Sequence, residues 1–172
     1  MNSTLQFIFA RRSVRKYQNK DVPEQILKDL LEAAMAAPSA VAKDPWHFIV
    51  VRDAEMRKKI AEGLPNGKML MDSPVGIVVC GDIEKAHDRR ISYLLQDCSA
   101  AIENLLVAVS ALGLGAVWLG VHPREERIAH IRAIFGLPET IVPVSAIAVG
   151  WPLEKLVART RYNAGAVHIE KW

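Results

Sequence analysis

Residues 96–120 read QDCSAAIENLLVAVSALGLGAVWLG, and between Cys98 and Leu112 only Ser99, Glu103, Asn104 and Ser110 are polar. This predicts the second half of a long helix running from about Asp88 to Leu112. A helix that is apolar nearly all round is buried on most sides, by its own domain or by a second subunit. Gly113 ends it, and GAVWLGV beyond reads as a strand. Gly113, Gly115 and Gly120 do not have the G-x-G-x-x-G spacing and follow a helix rather than a strand. They therefore terminate a helix and permit tight helix–strand packing, and do not mark a dinucleotide loop.

Outward from this stretch the chain alternates helix and strand. Ser3 begins a first helix through about Ala10. DVPEQILKDLLEAAMAAPSA predicts a second, with Pro23 early, Glu24 in the first turn, Ile26, Leu27, Leu30, Leu31 and Ala34 on one face, and Pro38 as its stop. WHFIVV (46–51) is β-branched and aromatic, hence a strand, and Asp53 then caps AEMRKKIAEGL. SPVGIVVCGD is a continuous apolar strand of the kind covered on both faces. PREERIAHIRAIFGLP is a short amphipathic helix with Pro123 near its start and Gly136 at its end. VPVSAIAVGWP is a fourth strand, and Ala166 to Ile169 a candidate edge strand. No repeat or linker divides the chain, so residues 1–172 read as a single α+β domain around a central sheet of four to five strands.

The 172 residues are 51% hydrophobic and 24% charged with a net charge of +3, a globular composition whose overall field attracts nucleic acid weakly. Any anion site must be local. Cys80 and Cys98 lie in apolar runs and read as buried thiols of a reducing compartment. The five histidines are scattered and form no metal cluster. No secretory signal is visible, since LQFIFA is short and followed by arginines. The apolar run from Leu105 to Val121 is interrupted by Gly113 and Gly115 and falls short of the roughly 20 residues of a spanning helix. The expectation is a cytoplasmic protein bound to neither membrane nor nucleic acid.

One local concentration of charge stands out. FIFARRSVRKY (7–17) carries Arg11, Arg12, Arg15 and Lys16 within six residues. Nucleic acid, a membrane surface or a small phosphate ligand would each suit it. In extended backbone Arg11, Ser13 and Arg15 share a side, two guanidinium forks and a hydroxyl suited to a phosphate. ARTRY repeats the device with Arg159 and Arg161. Basic residues are ordinarily solvated surface, and only a tail that folds back would join the two clusters.

In order, RRSVRKY, AAPSAVAKDPWHFIVV, GKMLMDSPVGIVVC, the opening stretch, and VGWPLEK with RTRY resemble the flavin-dependent nitroreductase family, from about Phe7 to Tyr162. The resemblance implies a nitroreductase-like α+β fold with a central mixed sheet, and a homodimer holding FMN at the subunit interface. The long apolar helix would lie in that interface. Arg11, Arg12, Ser13, Arg15, Arg159 and Arg161 match residues around the flavin phosphate and ring. Pro38, Ser39 and Ala40 match contacts from the second subunit, Lys68 a cation at the pyrimidine edge, and Leu119 and Gly120 the backbone nearest the ring. The sequence departs from the family at Ala42, where asparagine is common, and at Asp44, where glutamine is common. Trp46 and Trp118 read as core. The implied activity is ping-pong oxidation of NADH or NADPH with nitroaromatics, quinones or related electrophiles, the flavin carrying the chemistry without a catalytic side chain. A dehalogenating or flavin-fragmenting relative, and a flavin carrier or sensor without turnover, remain open.

Overall fold

The computed structural model describes residues 2–154 and 156–172; Lys155, the last residue of VGWPLEK, lies outside them. Asn2, not Ser3, opens the chain's first helical turn: its side-chain oxygen accepts the Thr4 N–H at 2.9 Å. A 3₁₀ turn (Ser3–Leu5) then leads into α1 (Gln6–Ala10). α2 (Glu24–Met35) follows Pro23, and α3 (Ala54–Glu62) is capped by Asp53, whose carboxylate accepts the Met56 N–H at 2.8 Å. A single-turn helix α4 (Met69–Asp72), not anticipated, precedes the second strand. α5 (Ile91–Ala111) is the longest helix, starting three residues later than expected because Asp88 takes a left-handed conformation (φ 51°) in a short turn before it. α6 (Glu125–Phe135) stops at Gly136, whose φ of 59° suits a residue without a Cβ.

β1 (Trp46–Val51), β2 (Val75–Asp82), β3 (Gly115–Gly120) and β4 (Ile141–Gly150) form one sheet in the order β1-β2-β4-β3. Every pairing in it is antiparallel, which corrects the expected mixed sheet. The continuous apolar run of β2 comes from helices on both faces, and such cover does not depend on strand direction. Among the described residues the one parallel pairing is a single bridge between Ser13 and Ala116. Ala166 to Ile169 forms no strand; a 3₁₀ turn, Ala164–Ala166, occupies its start.

The sheet separates two cores. On one face Val75, Ile77, Val79 and Ile147 pack with Leu27 and Leu30 of α2 and Leu94, Cys98, Ile102 and Leu105 of α5. On the other, Val78, Cys80, Ala146 and Ala148 meet Ile60 of α3, Leu70 of α4 and Ile131 of α6. By length and composition α5 would reach across a bilayer, yet one side of it is packed on the sheet and α2.

One close approach makes a test. A Cβ on Gly115 would stand 2.6–2.9 Å from the Val14 side-chain carbons. Gly115→Ala is therefore expected to destabilise the fold by ~1–3 kcal/mol, read as a lower denaturant midpoint at unchanged m.

Burial also raises the thiols of Cys80 and Cys98 from their ordinary 9 to about 12, with the Asp97 carboxylate adding to the rise at Cys98. The folded chain keeps these protons where the unfolded chain loses them, so their contribution is full below about pH 9 and is lost as pH climbs toward 12. Tyr17, raised above its usual range by desolvation, acts in the same sense. The denaturation midpoint should fall between about pH 8.5 and 10.5, less so in Cys80→Ala/Cys98→Ala, and neither thiol should react with a disulfide reagent before unfolding.

Candidate active site

The segment after α1 is fixed against the sheet by its backbone. Val14 N–H donates to Ala116 O at 2.9 Å and Gln18 N–H to Trp151 O at 2.9 Å. The buried Tyr17 hydroxyl donates to Val14 O at 2.7 Å. With Val14 and Tyr17 turned into the core, the basic side chains between them face outward.

Arg15 thereby becomes a wall of a cavity of about 620 Å³, with Lys68 from the start of α4 and Leu119 and Gly120 from β3. These four expected residues, distant in sequence, are brought together. A Cβ on Gly120 would meet nothing within 4 Å, so the strand backbone is bared to the cavity there. Asn66, Met69, Trp118 and Arg127 line it too, and among the described residues no carboxylate does. The Arg127 Nη1 donates to Gly120 O at 2.8 Å, which braces the end of β3. Reading the sequence alone missed Asn66 and Arg127, because only the packing of α6 beside β3 gives Arg127 a place there. Trp118, read as core, is part-exposed in this wall.

The tail does fold back. Arg159 N–H donates to Phe9 O at 3.0 Å, carrying the second basic cluster to the first. The Arg159 guanidinium pKa is lowered chiefly by the neighbouring charge of Arg12, then by slight desolvation and by Arg161. Arg12 and Arg161 thus each repel Arg159. Arg11 is instead engaged with Glu103 of α5 at 3.3 Å, and Ser13 sits beside Ala116 of β3.

Pro38, Ser39 and Ala40 lie elsewhere, in the loop after α2, and do not line this cavity. The loop is strongly constrained. Ala40 N–H donates to the buried Asp97 carboxylate at 2.8 Å, Ser39 Oγ donates to Asp44 Oδ1 at 2.5 Å, and Asp44 N–H donates back to Ser39 Oγ at 3.0 Å. Val41, Ala42 and Asp44 have φ of 55°, 51° and 47°. A β-branched residue there persists only when its surroundings over-determine it. Among the described residues no group of three metal-ligating side chains occurs.

The sequence profile of the Nitroreductase family matches residues 8–151. The chain belongs to that family. It is 47% identical over 168 residues to a protein of Methanothermobacter thermautotrophicus provisionally named NADH dehydrogenase/NAD(P)H nitroreductase, covering 98% of this chain and 87% of that one. A crystal structure from Parabacteroides distasonis under the same provisional name superposes with a TM-score of 0.93 at 41% identity, covering all of both chains. A Desulfovibrio desulfuricans protein provisionally named a nitroreductase, solved with FMN, gives 0.84 at 30% identity over all of this chain and 99% of that one. Membership in the nitroreductase family makes the protein an oxidoreductase.

The clustered guanidiniums predict a salt response. Raising sodium chloride from about 20 to about 500 mM should increase Tm of the ligand-free chain by screening their repulsion, and Arg159→Gln should blunt that increase.

Proposed function

We propose that this nitroreductase-family protein is an FMN-dependent NAD(P)H oxidoreductase, working as a homodimer on nitroaromatics, quinones or related electrophiles. The observation that carries the reading is the convergence of Arg12, Arg159 and Arg161 from opposite ends of the chain. Like charges held together lower one another's affinity for protons and ask for a counter-anion. A monoester phosphate, nearly dianionic at neutral pH, answers that demand with charge-assisted hydrogen bonds.

The cavity fits the rest of the cofactor. Its volume lies in the range of small-molecule sites. Arg15 and Lys68 would stabilise negative charge at the pyrimidine edge of a reduced ring, while Leu119 and the bared backbone at Gly120 would lie along the ring. Ser13, with Arg11 once exchanged from Glu103, would complete the phosphate contacts. When bound, FMN supplies hydride acceptance at N5 and onward transfer to the oxidant. The protein orients the reactants and limits water. Donor and acceptor using one cavity in turn implies ping-pong kinetics without a catalytic side chain.

Exposed apolar surface supports the second subunit. In the tail Val157 is 71%, Ile169 84% and Trp172 100% exposed, and one side of α5 is uncovered. Pro38, Ser39 and Ala40, anchored where the Ala40 N–H meets Asp97, would then reach the flavin bound mainly by the partner subunit.

Reconstitution with FMN tests the reading. The holoprotein should be a yellow dimer, bleached by NADPH or NADH without oxygen, and should give parallel double-reciprocal lines with a quinone. Arg12→Gln and Arg159→Gln should each weaken FMN binding by about tenfold or more. Flavin that binds but stays oxidised with both donors would identify a carrier, and a chain that takes up no FMN would refute the proposal.

A further inference from the structure

A second cavity, of about 700 Å³, has Arg15 as a wall in common with the first. Five cationic residues line it, Arg15, Lys16, Lys20, Arg52 and Arg57, against two carboxylates, Asp21 and Asp72. Two of these cations are already paired with carboxylates. Arg52 pairs with Asp21 at 2.8 Å and Glu24 at 3.3 Å, and Lys16 with Glu154 at 3.6 Å. The Lys20 ammonium stands 3.9 Å over the Trp151 ring.

Arg57 differs. It is only 8% exposed, and no carboxylate of the described residues lies within 4.0 Å of it. Its Nε donates to Leu70 O at 3.1 Å and its Nη1 to Arg52 O. These bonds fix the plane of the guanidinium and use two of its five N–H groups. Nη2 makes no hydrogen bond to the described residues, and Arg57 is a wall of this cavity. A buried arginine without a counter-ion is costly, and the cost is removed when an anion takes the open side. Backbone clamps that hold the fork still leave little entropy to lose on binding, which suits a planar bidentate partner.

We infer that this cavity is a phosphoryl-oxyanion subsite centred on Arg57 and supported by Lys20. Its ligand is a phosphate group, carried by the reducing nucleotide or arriving as free inorganic phosphate. The shared wall at Arg15 favours the nucleotide: a donor whose nicotinamide enters the first cavity would bring its phosphates toward the second. In that form the inference rests on the function proposed above.

The test uses the FMN-loaded protein at low salt, titrated calorimetrically with adenosine 2′,5′-bisphosphate, with inorganic phosphate, and with adenosine as the neutral control. The bisphosphate should bind, adenosine should not, and added sodium chloride should weaken the binding. Arg57→Lys, which keeps the charge but loses the fork, should weaken it about tenfold, and the exposed Lys20→Gln about threefold. Competition of the bisphosphate with NADPH, with KM for NADPH raised in both variants and kcat and FMN content unchanged, identifies the donor as the source. Phosphate binding that the variants weaken, without competition against NADPH, identifies free phosphate. No binding of either anion, or equal binding by wild type and a folded Lys20→Gln, overturns the subsite. Should the chain take up no FMN, the same titrations on the flavin-free protein still decide it, so the two proposals fail separately.

Discussion

The burial of α5 against the centre of the sheet is the constraint on which the other arrangements depend. β2 and β4 present Ile77, Val79 and Ile147 to it, and its own Cys98, Ile102 and Leu105 fill the space between. This contact puts the end of α5 next to β3, the strand whose far end is bared at Gly120. It also carries Asp97 to the loop after α2, where a buried carboxylate holds a backbone N–H of a segment in unfavourable conformations. An apolar helix thus serves packing and site construction at once.

Charge is placed by backbone pairing. The basic segment of 11–16 is held along β3 by the Val14 to Ala116 hydrogen bond, and the tail is returned to α1 by the bond from Arg159 to Phe9. Neither contact involves a charged side chain. Uncharged hydrogen bonds and apolar anchors, Val14 and Tyr17, oppose the repulsion between the guanidiniums. In the function proposed above, that repulsion is what a bound phosphate would relieve. Backbone placement explains how a chain with a net charge of only +3 concentrates positive charge at one place.

The elements were legible to different degrees, for physical reasons. α2, α3 and α6 were found near their observed bounds because their apolar periodicity and terminal residues, Pro23, Asp53 and Gly136, act locally. α4 was not, since a single turn has no periodicity to read, and the 166–169 strand did not form, since a strand requires a partner. Strand direction was misread for the same reason. β2 is apolar on both faces in either kind of sheet, and only the connections decide how it pairs. Of the residues that line the first cavity, Arg15, Lys68, Leu119 and Gly120 lie in the ordered motifs of the family, while Asn66 and Arg127 lie outside those motifs and enter the cavity through packing alone.

The amino-acid order by itself determined the helices with strong periodicity, the four strands of the sheet, the buried thiols, the two basic clusters and the family, because each depends on neighbours a few residues apart or on a recognisable succession of them. Tertiary structure alone decided that the sheet is antiparallel, that Arg12 and Arg159 meet, that Arg11 turns to Glu103, and that Arg57 is buried facing a second cavity. Those outcomes depend on which distant surfaces come into contact, and the free energy of such contacts is set by the fit of whole elements and not by any local run of residues.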